Sequence, residues 1–388
     1  MKDPVTAVTG ITYDRESIEH WLSTAEDVTC PYTKQPLPRD SELTPNHMLR
    51  RLIQAWCIEN AKNGIDPIPT PKSPLNKSVV LKLLRELNAP QVHVSTLKKI
   101  DAIVNENEKN RKFMEETSGA TKAMVLFFIK CFKEGRTEGL EEALRILHLI
   151  WSPTNDNKQI VKENFDLVQS IIWILQTDMD NHVTVKIHAV AVLKMVVEYA
   201  SSCLLERLKP DFFKETVKIL QENISQQAVK SVLQVLNEVC PWGRNRIKIV
   251  EAGAVFELVE MELQKPDKNI TELIFCLLAH LCSCADGRAQ LLNHAGGIAM
   301  LAKRTLRVSP ATDDRAIHIL ALIAKFSATQ EVLSEMLRVG GVAKLCMVIQ
   351  ADCAAYLKKK AREVLRLHSK VWSNSPCIDV YLLTRYPR

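Results

Sequence analysis

The strongest constraint on this chain is a segment that recurs with a glycine at its close. Asn245-Arg246-Ile247-Lys248-Ile249-Val250-Glu251-Ala252-Gly253-Ala254-Val255 returns as Gly287-Arg288-Ala289-Gln290-Leu291-Leu292-Asn293-His294-Ala295-Gly296-Gly297-Ile298, and again from Glu331 to Gly340-Gly341-Val342. Each copy ends one short helix at glycine and starts another. The glycines step by 43 residues from Gly253 to Gly296 and by 44 from Gly297 to Gly341. A helix that stops sharply and turns needs a residue tolerating positive φ just past its end, and glycine does so without steric cost. An earlier copy, Asn110 to Ala120, lies about three repeat lengths upstream of Gly253.

Between these markers run apolar stripes at helical spacing: Leu144, Leu147, His148 and Trp151; Val190, Leu193 and Val197; Val232, Leu233, Leu236 and Val239; Leu273, Leu277 and Leu281; Ile317, Leu320 and Ala324. One repeat cannot bury such a face alone, so stacking on neighbours is what folds it. The step lies in the window of HEAT and armadillo repeats, and the length it occupies predicts about seven of them. Composition agrees with a mostly α protein, since glycine is scarce at 12 of 388 residues and aromatics are 6%.

The repeats do not cover the whole chain. Residues 1–64 read as a small mixed domain, 65–77 as a linker, 78–372 as the repeat array and 373–388 as a C-terminal tail. Four prolines, Pro67, Pro69, Pro71 and Pro74, exclude a helix or central strand from the linker. In the first zone Val5 to Tyr13 alternates β-branched residues around Thr9-Gly10 and reads as a hairpin. Asp14 offers an N-cap for a helix from Arg15 to about Ser23, with Ile18, Trp21 and Leu22 on one face. After a loop holding Cys30-Pro31-Tyr32-Thr33-Lys34, Asn46 caps a second helix whose apolar face is Leu49, Leu52, Ile53 and Trp56.

Several function classes drop out. The 51 basic and 45 acidic residues are evenly mixed, so the net charge of +6 carries no nucleic-acid footprint. The longest apolar run, Ala123 to Ile129, is far short of the roughly 20 residues of a membrane span, and the N-terminus has no apolar signal core. Eleven scattered cysteines suit a reducing compartment, cytosolic or nuclear, and the Cys282-x-Cys284 pair reads as buried core rather than a zinc site. No P-loop, G-x-S-x-G, H-E-x-x-H or G-x-G-x-x-G is present. His148, His188, His280 and His318 read as packed or groove-lining, and Trp151 and Trp173 as core. No catalytic residue, metal ligand or cofactor is expected.

The first zone carries a more specific signal. Met1-Lys2-Asp3-Pro4-Val5, Gly10-Ile11-Thr12-Tyr13-Asp14-Arg15, Ile18, Trp21-Leu22, Cys30-Pro31, Thr33, Gln35-Pro36-Leu37, Leu43, Pro45-Asn46, Leu49, Leu52-Ile53 and Trp56-Cys57 closely resemble the U-box. With the armadillo-type array and the closing Trp372-Ser373-Asn374-Ser375-Pro376-Cys377, the chain resembles plant U-box and armadillo-repeat E3 ubiquitin ligases, particularly the elicitor-induced subgroup. That resemblance implies a RING-like α+β fold without zinc, followed by an armadillo-type superhelical solenoid. Cys30, Cys57, His20 and His47 are too few for two zinc sites of four ligands, so hydrogen bonds and packing must replace the metal. Asp14, Arg15, Thr33 and Asn46 are candidates for that network, Asp14 and Asn46 also for plain helix caps, and Tyr13, Leu22, Leu49 and Ile53 for the core.

By the same resemblance the ubiquitin-loaded E2 docks on Trp21, Pro31 and Tyr32, and Lys34 bridges E2 and ubiquitin. The expected function is an E3 ubiquitin-protein ligase of the RING type, with no covalent ubiquitin on this chain. Its array would hold a protein substrate, with Lys230, Asn237, His280 and Lys325 as groove residues. The resemblance further implies a role in plant defence signalling, and a dimer of U-boxes is a further expected partner. Family members carry a further stretch ahead of the Met1-to-Val5 segment, with the first E2-contacting loop, so the expectation is a U-box lacking that loop. The alternative is a non-catalytic armadillo scaffold, or a dominant-negative form that binds substrate but not E2. A nuclear-import adaptor is disfavoured because the Trp and Asn ladder of such proteins is absent.

Overall fold

The β-branched residues flanking Thr9-Gly10 pair as a hairpin in the computed structural model, with β1 (Pro4–Thr6) antiparallel to β2 (Thr12–Asp14) and Val5 opposite Tyr13. The structure describes residues 1–25, 29–60, 75, 77–87, 94–117, 119–177 and 182–378. Apart from Leu75 and Lys77 the linker lies outside the described residues, as does the tail beyond residue 378. Two units form, Met1–Leu75 and Asn76–Arg388.

In the first unit a third strand, β3 (Thr44–Pro45), pairs with the other edge of β1, giving the order β2-β1-β3. Two residues cannot show alternation, so the sequence carries no strand signal there. Helix α1 (Arg15–Thr24) buries Ile18 and Leu22, which join Val5, Ala7, Cys30 and Leu37 in one small core with Tyr13 packed at its edge. Helix α2 (His47–Glu59) departs from expectation. Only its Cys57 is buried, Leu49 and Ile53 are half-buried, and Leu52 and Trp56 are exposed. The helix meets β1 along one edge, so its stripe is too wide for the sheet to cover.

The second unit is built from two layers of helices. One layer stacks α4 (Val94–Glu106), α7 (Leu140–Ile150), α10 (His182–Tyr199), α13 (Gln226–Val239), α16 (Lys268–Leu281), α19 (Pro310–Phe326) and α22 (Ala355–Leu367), each against the next. The other stacks α3 (Lys77–Leu87), α6 (Ala120–Glu134), α9 (Phe165–Gln176), α12 (Pro210–Glu222), α15 (Ala254–Leu263), α18 (Gly297–Arg304) and α21 (Gly341–Gln350) in the same way. Short helices lead into each pair after the first: α5 (Glu108–Glu116), α8 (Asn155–Lys162), α11 (Ser202–Glu206), α14 (Asn245–Glu251), α17 (Ala285–Asn293) and α20 (Gln330–Arg338). The array is thus a run of three-helix repeats, and it closes on α23 (Ser369–Trp372).

Periodicity explains what each layer buries. Leu144, Leu147, Val190, Leu193, Val232, Leu236, Ile317 and Leu320 are all at most 1% exposed. Leu273, Trp151 and Trp173 are only half-buried and His148 is exposed. The two tryptophans lie at helix edges, tilted against Tyr199 and Phe132. Three successive helix starts share one device: Ser225, Asp267 and Ser309 cap α13, α16 and α19 by accepting from the amide three residues on, a contact typically giving about 1 kcal/mol. At the array's end His368 Nε2 meets the Ala324 carbonyl at 2.7 Å, and Trp372, 1% exposed, donates its Nε1 to the Leu333 carbonyl.

The marker glycines divide into two kinds. Gly253 and Gly340 have φ of 84° and 82° with open space around the missing side chain, as the turn argument requires. Gly296 departs from it with φ −94°, and at the adjacent Gly297 a Cβ would run into the Leu291 carbonyl. Here glycine permits close backbone approach instead of a left-handed turn. Gly253→Asn is therefore expected to shift thermal unfolding little, because Asn tolerates that conformation. Gly297→Ala is expected to cost at least ~1 kcal/mol, and matched calorimetric scans of the two variants check the difference.

Candidate functional site

In the first unit the polar residues do the work that a metal would do in a zinc-bound fold. Asp3 is the hinge of one network: its carboxylate accepts from Arg15 Nε at 2.7 Å and Arg50 Nη1 at 3.3 Å, tying the start of β1 to α1 and α2. Asp14 stands at the N-cap of α1, but its side chain makes no capping bond. Its Oδ1 instead accepts from the amides of Asp3 at 2.8 Å and Lys2 at 3.1 Å, which holds its carboxyl below the usual range. Asn46 does cap α2, accepting from the Leu49 amide at 3.0 Å, while its Nδ2 donates to Thr12 Oγ1 at 3.2 Å. Among the described residues no group of three or more His, Cys, Asp or Glu could hold a metal ion.

A second network centres on Cys30, which the sequence marks only as part of the U-box resemblance. Its sulfur is fully buried and lies 2.9 Å from Tyr13 Oη, 3.3 Å from Thr9 Oγ1 and 3.5 Å from the Thr33 amide. Burial pushes the thiol up, but the donors of Thr33, Thr9 and Tyr13 outweigh it and bring it down to about 6. The same Tyr13 hydroxyl accepts from the Tyr32 amide at 3.3 Å. The bonds converge on the loop that follows. Thr29 bridges to Pro36, the Lys34 amide donates to the Cys30 carbonyl at 2.9 Å, and Lys34 adopts a left-handed φ of 57°.

That loop and α1 present one surface. Trp21 is 38% exposed and its Nε1 donates to the Thr29 carbonyl at 2.9 Å, so the indole is held against the loop with a face open to solvent. Tyr32 is 78% exposed, Pro31 half-buried and Lys34 exposed. A clamped aromatic beside rigid backbone is the kind of anchor in which protein interfaces concentrate their energy.

In the second unit, α10, α13 and α16 line an open cleft of about 420 Å³ with Lys194, Glu198, Gln234, Asn237, Glu238 and Leu273. Of the four groove residues inferred from sequence, Asn237 alone lines it. Its amide is directed inward. Nδ2 donates to the carbonyls of Leu233 at 2.8 Å and Leu273 at 3.1 Å, so it clamps α13 to α16 instead of offering donors to a partner. Lys230 is half-buried on α13, and Lys325 is exposed at the end of α19, over the Phe326 ring. His280 is half-buried, and burial together with Arg246 and Arg315 lowers its pKa. His148 and His188 lie with ring centres 6.0 Å apart and their planes tilted by 51°, and the half-buried His188 is lowered first by desolvation.

Cys30 makes the first unit's stability pH-dependent. A thiol whose folded pKa is about 6, against 9.0 for the free group, stabilises the fold fully above the unfolded value, and that contribution is lost as pH falls through the folded one. Opening free energies from amide exchange at Leu22 and its neighbours are therefore expected to rise between pH 6 and 9 in the full chain. In Cys30→Ser, whose hydroxyl does not ionise in that window, the rise is expected to vanish.

Comparison with known proteins agrees with both units. The family model described as the plant U-box protein ARM repeat region matches residues 79–388, and the U-box domain model matches residues 1–62. Among curated proteins of Arabidopsis thaliana, the chain is 42% identical to E3 ubiquitin-protein ligase PUB24, over 99% of this chain and 93% of the relative. It is 40% identical to E3 ubiquitin-protein ligase PUB23, over 100% and 94%. Among solved structures, an engineered protein superposes with a TM-score of 0.54 at 19% identity, covering 79% of this chain and 73% of that one, a likeness of fold alone. A hydrogen-bonded module and a stacked helical array, each matching its own family model, leave one conclusion: the chain belongs to the plant U-box proteins with armadillo repeats.

Proposed function

We propose that this protein is an E3 ubiquitin ligase of the RING type, whose U-box recruits an E2 carrying ubiquitin and whose armadillo array holds the protein substrate. The observation that carries the reading is the Trp21, Pro31, Tyr32 and Lys34 surface, braced by the Trp21–Thr29 bond and the Cys30 network. Trp21 and Tyr32 would seat the E2, and Lys34 would bridge it to ubiquitin. The names of the Arabidopsis relatives support the same activity.

The chemistry would be acyl transfer by positioning. The ε-amine of a substrate lysine attacks the E2-bound thioester, an isopeptide bond forms, and the E2 thiol leaves. Holding the two reactants in a near-attack geometry converts an encounter into an effectively intramolecular step. Cys30 and Cys57, the cysteines of the U-box, are buried, which fits a mechanism with no thioester on that unit. The exposed Met48, Leu52 and Trp56, spaced one helical turn apart on α2, would pair two U-boxes. The compartment is taken to be cytosolic or nuclear, and the pathway plant defence.

With E1, an E2, ubiquitin and ATP, the protein is expected to build ubiquitin chains, and failure to do so with any of a panel of E2 enzymes would reject the reading. Trp21→Ala is expected to weaken E2 binding about tenfold or more while leaving unfolding of the array unchanged. Undiminished E2 affinity in a nuclear magnetic resonance titration would remove Trp21 from the docking surface.

A further inference from the structure

Two ion pairs, one near each end, cross between successive helices in the stack of α4, α7, α10, α13, α16, α19 and α22. Arg145 of α7 grips Asp101 of α4 through two bonds of 2.9 and 2.7 Å. At the other end Asp314 of α19 is held by Arg315 at 2.7 Å and by Lys360 of α22 at 3.7 Å, and it also takes a hydrogen bond from Tyr356. In both places a cation on the later helix meets a carboxylate on the earlier one.

Among the described residues no helix after α22 carries that pattern on. The helix buries Leu357, Ala361 and Val364, and directs Tyr356 and Lys360 toward α19. A period of 3.6 residues then puts Lys359, Glu363 and Arg366 on the open face, and Lys358 and Arg362 on the side away from α19. Lys359 and Arg366 are exposed, and Lys358 and Arg362 are half-exposed. Among the described residues none of these four cations has a carboxylate within ion-pair reach, and no later helix continues the layer. Five cations, Lys358, Lys359, Lys360, Arg362 and Arg366, share the helix with one anion, Glu363. The field extends inward. His318 of α19 is lowered first by burial and then by Lys360, and Arg315 acts on it too.

We infer that the open face of α22 docks a short acidic segment of the protein that the array holds, its carboxylates pairing with cations that Asp314 and the rest of α19 leave unmatched. The inference rests on the ligase reading for the identity of that protein. From Lys358 to Arg366 the helix rises about 12 Å at 1.5 Å per residue, room for roughly four residues of extended chain. Glu363 sits within the patch and repels an unbroken polyanion, whether a phosphodiester backbone or an anionic bilayer. A peptide can place its acids to either side.

The test uses the full chain and a fluorescent peptide carrying four alternating Asp and Glu residues and one lysine, with its Asn and Gln counterpart as reference. Anisotropy is expected to show binding of the acidic peptide alone, weakened about tenfold by the exposed pair Lys359→Glu with Arg366→Glu. The exposed pair Lys214→Glu with Lys218→Glu on α12 is expected to change it less than about twofold. Equal loss in both variants, or no binding of the acidic peptide, overturns the docking face. So does tighter, Lys359- and Arg366-dependent binding of phosphatidylserine vesicles or a DNA oligonucleotide. Ubiquitin chains formed without peptide binding would reject this face and keep the ligase reading. Peptide bound through α22 in a protein that forms no chains with any E2 would do the reverse.

Discussion

Nearly everything in the second unit depends on one requirement, that each helix pair must find a neighbour to cover its apolar face. A repeat such as α14 to α16 carries Ile249, Val255, Leu258, Ile274 and Leu278 on surfaces that its own three helices cannot enclose. Burial comes only when the next repeat arrives, and at roughly 25 cal/mol per Å² of apolar surface this is the dominant favourable term. The polar contacts between repeats are then placed where stacking already brings backbones together. Asn237 reaches the Leu273 carbonyl, Asn245 the Leu205 carbonyl and Lys248 the Leu208 carbonyl. They fix the angle between repeats more than they hold them.

The first unit solves the opposite problem. Among the described residues its core cluster is six buried residues and cannot supply much cohesion. Short-range polar bonds take over, and they converge on two atoms groups, the Asp3 carboxylate and the Cys30 sulfur. Each joins segments far apart in sequence, as a metal ion would. The loop presenting Tyr32 and Lys34 is thereby rigid although little of it is buried.

Much of this was legible in the sequence because periodicity and capping are local. The helical stripes and the cap at Asn46 follow from residues within one or two turns of each other, and the glycine step from simple recurrence. What sequence could not show was pairing at long range. Asp14 has the look of a cap, yet its oxygen goes to Lys2 and Asp3 because the hairpin folds them together. Leu49 and Ile53 have core periodicity, yet the small sheet leaves them half covered. Asn237 was read as a groove donor, and the neighbouring helix claims it. Cys30 and Asp3 had no signal beyond their residue types, since their partners are brought in by the fold.

Trp372 closes the last repeat from outside, its ring buried and its Nε1 on the Leu333 carbonyl one repeat back. In a one-dimensional stack the final repeat has a neighbour on one side only, so such a plug decides how far fraying runs inward. A chain cut short just before this residue would keep its U-box and most of its repeats yet bare an apolar end. The plug thus limits how much of the segment after α22 can be trimmed before the array begins to expose its core.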